Sequence, residues 1–131
     1  MVDLNKYSGG VQHIGVPCSD IDRTAEFYKS LGFEAVLITR NEAADETVAF
    51  LKLGNLVIEA YGNRPTEGLE GAIDHIALDV KDIDALYAEI VAAGHESLEG
   101  GVKGLPFWER GVRFFTILGP DKEKIEFCEK L

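Results

Sequence analysis

The chain has 131 residues, of which 46% are hydrophobic and 27% charged, enough for one packed domain of ordinary size and too few for two independent ones. Thirteen Lys and Arg stand against twenty-three Asp and Glu, a formal charge of -10. No stretch gathers the basic residues that displace counterions from phosphates, which argues against a nucleic-acid partner, and no run approaches the apolar length of a membrane span. Met1 to Lys6 lacks a basic start followed by an apolar core, so the sequence predicts no secretory signal and a cytoplasmic protein whose thiols, Cys18 and Cys128, are reduced.

In chain order, Val11 to Val16 reads as a strand. Ser19 and Asp22 resemble a capping box, and the following helix places Ile21, Thr24, Ala25, Tyr28 and Leu31 on one stripe before Gly32 stops it. Strands are predicted at Phe33 to Thr39, Val48 to Leu53 and Leu56 to Tyr61, with Gly54-Asn55 as a tight turn. Then the order recurs. At a constant offset of 62, His13-Ile14 falls on His75-Ile76, Asp20-Ile21-Asp22 on Asp82-Ile83-Asp84, and Gly32 on Gly94; at 67, Ile58-Glu59 falls on Ile125-Glu126.

The repeat divides the chain into two modules, about 9–64 and 71–129, within one domain spanning 1–131. The second has Asp82 as its cap, Ile83, Leu86, Tyr87 and Ile90 on its stripe, and strands at His95 to Leu98, Val112 to Leu118 and Lys124 to Cys128. Glu99 to Glu109 reads as a long loop whose two large aromatics, Phe107 and Trp108, suit a flap over a pocket. A strand, a helix and three strands cannot bury a concave face alone. Two copies, within one chain or across a dimer, would enclose a cavity.

Four residues occupy related positions: His13 and His75 in the first strand of each module, Glu59 and Glu126 in the last. A carboxylate flanked by Ile and Phe inside a strand is costly to bury unless paired or bound to a cation. Two imidazoles and two carboxylates suit a borderline divalent metal, with room left for water or substrate. His95, after the Gly94 stop, has no matching acid and is expected at the surface.

At His13-Ile14-Gly15-Val16, Ala25-Glu26-Phe27-Tyr28-Lys29, Asp74-His75-Ile76-Ala77-Leu78 and Gly119-Pro120-Asp121 leading to Ile125-Glu126, the chain resembles the vicinal-oxygen-chelate superfamily. That superfamily includes glyoxalase I, extradiol dioxygenases, methylmalonyl-CoA epimerases and fosfomycin or bleomycin resistance proteins. The resemblance implies an α+β fold of paired βαβββ modules around a metal cavity, usually in a homodimer. The set His13, Glu59, His75, Glu126 is most similar to that of bacterial glyoxalase I (lactoylglutathione lyase). It implies one divalent metal per site, Ni, Co or Zn ahead of Fe or Mn, and isomerisation of a hemithioacetal of a 2-oxoaldehyde such as methylglyoxal through an enediolate.

In that scheme Glu126 is the base, Glu59 a ligand or its opposite-face partner, Asn63 a contact to the thiol part of the substrate, and Phe107 and Trp108 a cover that excludes water. Epimerase, dioxygenase and metal-free ligand-binding chemistry are the alternatives. Two positions depart from the pattern. Pro17 stands where an arginine would hold a glutathione carboxylate, leaving Arg23, Arg40 and Arg64 as candidates, and the turn before the last strand has Lys122 in place of a glycine.

Overall fold

Each hydrophobic period of the sequence folds into its own layer of helix on sheet. The computed structural model describes residues 3, 6–9, 11–62, 65–69, 71 and 73–131. The order of elements is β1 (Ile14–Cys18), α1 (Ile21–Ser30), β2 (Glu34–Asn41), β3 (Glu46–Leu53), β4 (Leu56–Gly62), β5 (His75–Asp79), α2 (Ile83–Ala92), β6 (Lys103–Leu105), β7 (Val112–Leu118) and β8 (Lys124–Lys130). The chain divides into two compact units, Met1–Thr66 and Glu67–Leu131. Each is a βαβββ module, and together they hold two four-stranded mixed sheets, ordered β1-β4-β3-β2 and β5-β8-β7-β6.

In the first unit β1 runs parallel to β4, and β3 is antiparallel to both β4 and β2. Alternation along the strands sends Ala49, Leu51, Ile58 and Ala60 to one face, where all four are fully or almost fully buried. Helix α1 covers that face with Ile21, Thr24, Ala25 and Tyr28, four of the five residues of the predicted stripe; the fifth, Leu31, is its C-cap. Its N-cap is Asp20 rather than Ser19: the Asp20 carboxylate accepts from the Arg23 amide at 3.1 Å.

The second unit repeats the plan, with β5 parallel to β8 and β7 antiparallel to β8 and β6. Phe115, Ile117, Ile125 and Phe127 form its buried face beneath Ile83 and Ile90 of α2. Both helices end in the same way. Gly32 (φ 97°) and Gly94 (φ 95°) take the left-handed conformation, and the next amide, of Phe33 or His95, donates back to Tyr28 or Ile90.

Three expectations need correction. Strand β1 starts at Ile14, so His13 lies just before it, not within it. No strand forms over His95 to Leu98; that segment makes one ladder-like bond, from the Leu98 amide to the Thr116 carbonyl, and the edge strand is β6, inside the presumed flap. At the turn before β8, Lys122 itself adopts φ 64°, so a lysine takes the conformation usually reserved for glycine. Among the described residues, no helix is long and apolar enough to cross a membrane.

Candidate functional site

Pairing register fixes which residues share a face with each strand glutamate. In the first unit Glu59 is the partner of Gly15 on β1 and Phe50 on β3, so it projects from the sheet face opposite α1. Its Oε2 lies 3.2 Å from Nε2 of His13, and the glutamate and histidine side chains keep 26% and 35% of their surface exposed. The Phe50 ring meets the imidazole edge to face, with centroids 5.9 Å apart. The other ring nitrogen, Nδ1, lies 3.0 Å from the side-chain oxygen of Gln12.

The second unit builds the same constellation. Glu126 is the partner of Ala77 on β5 and Thr116 on β7, and its Oε2 lies 3.2 Å from Nε2 of His75. Nδ1 of His75 lies 3.0 Å from Oδ2 of Asp74, whose other oxygen accepts from the Lys124 ammonium at 3.2 Å. Hydrogen bonds from His75, then from Lys124, hold the Asp74 carboxyl below the usual carboxylate range. Cys128, two residues beyond Glu126 on the same face, has its thiol pushed up by burial and then by the Glu126 charge and hydrogen bond; it is a neutral S–H beside that carboxylate.

These contacts constrain the protons. The oxygens of Gln12 and Asp74 facing the rings are acceptors, so Nδ1 donates in both histidines. A neutral ring then offers a lone pair from Nε2 toward a carboxylate oxygen 3.2 Å away. Two acceptors at that distance repel unless a proton or a cation lies between them. Two ligands each about 2.1 Å from one ion, at roughly 90° to 110°, stand about 3.0 to 3.4 Å apart, so both pairs have the spacing of cation ligands. Each pair supplies two donors; among the described residues, no three His, Cys, Asp or Glu side chains cluster to hold an ion.

The remaining candidates are dispersed. Asn63 and Arg64 lie outside the described residues. Phe107 and Trp108 are exposed (54% and 71%), and the Lys130 ammonium sits 3.9 Å over the Trp108 ring. Trp108 lines a cavity of about 650 Å³ with Leu105, Pro106, Arg110, Val112 and Leu131, and neither His75 nor Glu126 contributes to its wall. Arg23 donates to the Ser19 hydroxyl, and Arg40 is engaged by Asp45 and Glu42. Sequence reasoning missed Gln12, Asp74 and Lys124, although the repeat that aligns His13 with His75 also aligns Gln12 with Asp74.

Comparison with known proteins follows this geometry. Residues 10–127 match the family described as the Glyoxalase/Bleomycin resistance protein/Dioxygenase superfamily. An uncharacterized protein of Bacillus subtilis (strain 168), YwbC, is 30% identical over 128 residues, covering 92% of this chain and 97% of its own. A glyoxalase family protein from Enterococcus faecalis superposes with a TM-score of 0.76 at 23% identity, over 92% of this chain and 98% of the other. The fosfomycin resistance protein FosX from Listeria monocytogenes, solved with Mn(II) and sulfate, gives 0.69 at 18% identity, over 95% and 94%. At these identities the two superpositions establish the shared fold.

Proposed function

The chain belongs to the Glyoxalase/Bleomycin resistance protein/Dioxygenase superfamily, and from that premise we propose that His13, Glu59, His75 and Glu126 together hold one divalent cation for chemistry on a small oxygenated substrate. The observation that carries this reading is the duplicated pair: imidazole Nε2 and carboxylate Oε2 at 3.2 Å in both units, at repeat-related positions. The mixed nitrogen and oxygen donors suit Ni, Co, Zn, Mn or Fe. FosX, solved with Mn(II), is a fold relative that carries such an ion. The cation, when bound, would polarise two neighbouring substrate oxygens and acidify the intervening C–H.

The reaction we propose is glyoxalase I-type isomerisation of a 2-oxoaldehyde–thiol hemithioacetal. Glu126 takes the proton from one carbon and returns it to the neighbour, which requires its carboxylate to be free to swing from ligand to base. The Cys128 S–H, on the same face of β8, donates to that carboxylate. Glu59 holds its place as a ligand or attends the opposite face. With Pro17 in place of the arginine that would hold a glutathione carboxylate, the co-substrate we propose is a thiol, either glutathione or a smaller neutral one.

A second reading, a metal-free small-molecule-binding protein of the resistance class, draws on one observation: each described pair supplies two donors and no third. One experiment separates them. Metal-depleted protein is titrated with Ni²⁺, Co²⁺, Zn²⁺ and Mn²⁺, then assayed with methylglyoxal and either glutathione or a small neutral thiol. The metalloenzyme reading expects one ion per chain and turnover that disappears in Glu126→Gln with metal retained. No stoichiometric binding by any of the four ions hands the function to the binding-protein reading, and full activity in Glu126→Gln removes the assigned base.

A further inference from the structure

The two halves differ in what stands behind each histidine. His13 rests on Gln12, a neutral amide with no ion pair behind it in the contacts described above; His75 rests on Asp74, a carboxylate whose second oxygen is gripped by Lys124. From this we infer that Asp74 is a positioning residue, held by Lys124, which fixes His75 as the Nδ1–H tautomer and makes it the stronger of the two imidazole donors. The inference rests on the cation reading above and goes beyond it by ranking the half-sites.

The argument is local. An imidazole whose Nδ1–H donates to a carboxylate has more electron density at Nε2 than one donating to an amide, because the anion stabilises positive charge spreading over the ring. Lys124 anchors the carboxylate so that its hydrogen bond keeps direction, and it does so from the first residue of β8, two residues before Glu126. One strand therefore delivers both the carboxylate facing Nε2 and the cation that orients the residue behind Nδ1. In the first unit, Val57 and Leu56 open the corresponding strand β4 and offer no such charge. His13 gets its orientation from Gln12 and the edge of Phe50.

The test reads the tautomer first and the cation second. In metal-free protein at about pH 9, above the ordinary imidazole range, nitrogen-15 NMR of the ring nitrogens should report Nδ1–H for His75, the one histidine with an anchored carboxylate behind that nitrogen. In Asp74→Ala the His75 proton moves to Nε2, where Glu126 can accept it, while His13 is unchanged; Lys124→Gln gives a smaller shift of the same kind. Ni²⁺ titration should then weaken about 10- to 100-fold in Asp74→Ala, less in Asp74→Asn, and hardly at all in Gln12→Asn. An unmoved His75 tautomer in Asp74→Ala overturns the inference, as does equal Ni²⁺ affinity in Asp74→Asn and wild type. Wild-type protein that binds no Ni²⁺ overturns the cation reading instead, and the tautomer shift then still decides whether Asp74 positions His75. Asp74 is more than half exposed, so the two Asp74 variants that carry the test keep the fold.

Discussion

The two units perform one architectural task with different polar chemistry. Helix α1 is capped by its own Asp20, in extended backbone. The repeat-related Asp82 sits in the left-handed region (φ 52°) and makes no side-chain cap; instead the carboxylate of Glu129, from the far end of β8, accepts from the amides of Asp82 at 3.0 Å and Ile83 at 3.2 Å. Arg113, the register partner of Glu129, adds a two-pronged bond to Asp84 in the first turn of α2. The hydrophobic stripes and the glycine stops are common to both halves, and the caps are not. Duplication here preserved what buries apolar area and left each half to satisfy its exposed helix end by whatever donor or acceptor lay near.

The largest stability effect should come from the helix end that depends on tertiary structure. Glu129→Ala removes the acceptor for two amides, whereas Asp20→Ala removes it for one. The expected losses are about 2 kcal/mol and about 1 kcal/mol, read by urea denaturation. Helix α2 should also lose amide-exchange protection at its first turn in Glu129→Ala, with α1 unaffected. Equal losses in the two variants would mean that the second amide bond to Glu129 adds nothing, and no loss in Glu129→Ala would mean that solvent caps α2 equally well.

The same contrast marks what a sequence discloses. Period-two alternation placed Glu59 and Glu126 on the face opposite Ile58 and Ile125, and the strand register bears that out. The helical stripe of α1 was legible at Ile21, Thr24, Ala25 and Tyr28, whereas Leu31 is the half-buried C-cap. The strand edges were not, because β6 is three residues long and is defined by its pairing with Phe114, Arg113 and Val112 rather than by its composition, Lys-Gly-Leu. Neither were the groups behind the histidines. Neighbours in a pleated strand point to opposite faces, so residue i-1 is not expected to touch residue i. Gln12 and Asp74 do so because His13 precedes β1 and His75 opens β5, where the pleat has only begun.

A second contrast lies along the third strand of each unit. In the first, Phe50 on β3 has a full-length partner, β2, across from it at Leu37. At the related position of the second, β6 has already ended, and the Thr116 amide donates to the Glu99 carboxylate at 2.7 Å, with Ser97 also donating to that oxygen. Burial pushes the Glu99 carboxyl up, but the bonds from the amide and hydroxyl of Thr116 outweigh it and leave the group below its ordinary value of 4.5. A carboxyl lowered in the folded state stabilises above the unfolded value, and the contribution disappears as pH falls through the lower, folded one. Glu99→Ala should cost between about 1 and 2 kcal/mol at neutral pH, since Thr116 is buried and its amide loses its acceptor. The advantage of wild type over Glu99→Gln should shrink only as acid is taken below about pH 4.5; a difference that instead changes between pH 6 and 8 would assign the effect to another group.

The smallest effect tests the helix cores, where the halves differ at one aligned position. Thr24 of α1 is fully buried and its hydroxyl has no hydrogen-bond partner among the described residues, while α2 carries Leu86 there. Valine has nearly the shape of threonine and nearly its helix propensity, so Thr24→Val changes little except the buried hydroxyl. Removing a polar group that gains nothing from its surroundings should raise stability by about 0.5 to 1 kcal/mol, visible as a higher midpoint in thermal unfolding. The Thr24 amide already donates to the Asp20 carbonyl at 3.0 Å, so the helix hydrogen bond at this turn is unaffected. A loss of stability would show that the hydroxyl contributes to the native state after all, sharing that same carbonyl, and that the first half of the molecule uses a polar contact where the second relies on packing alone.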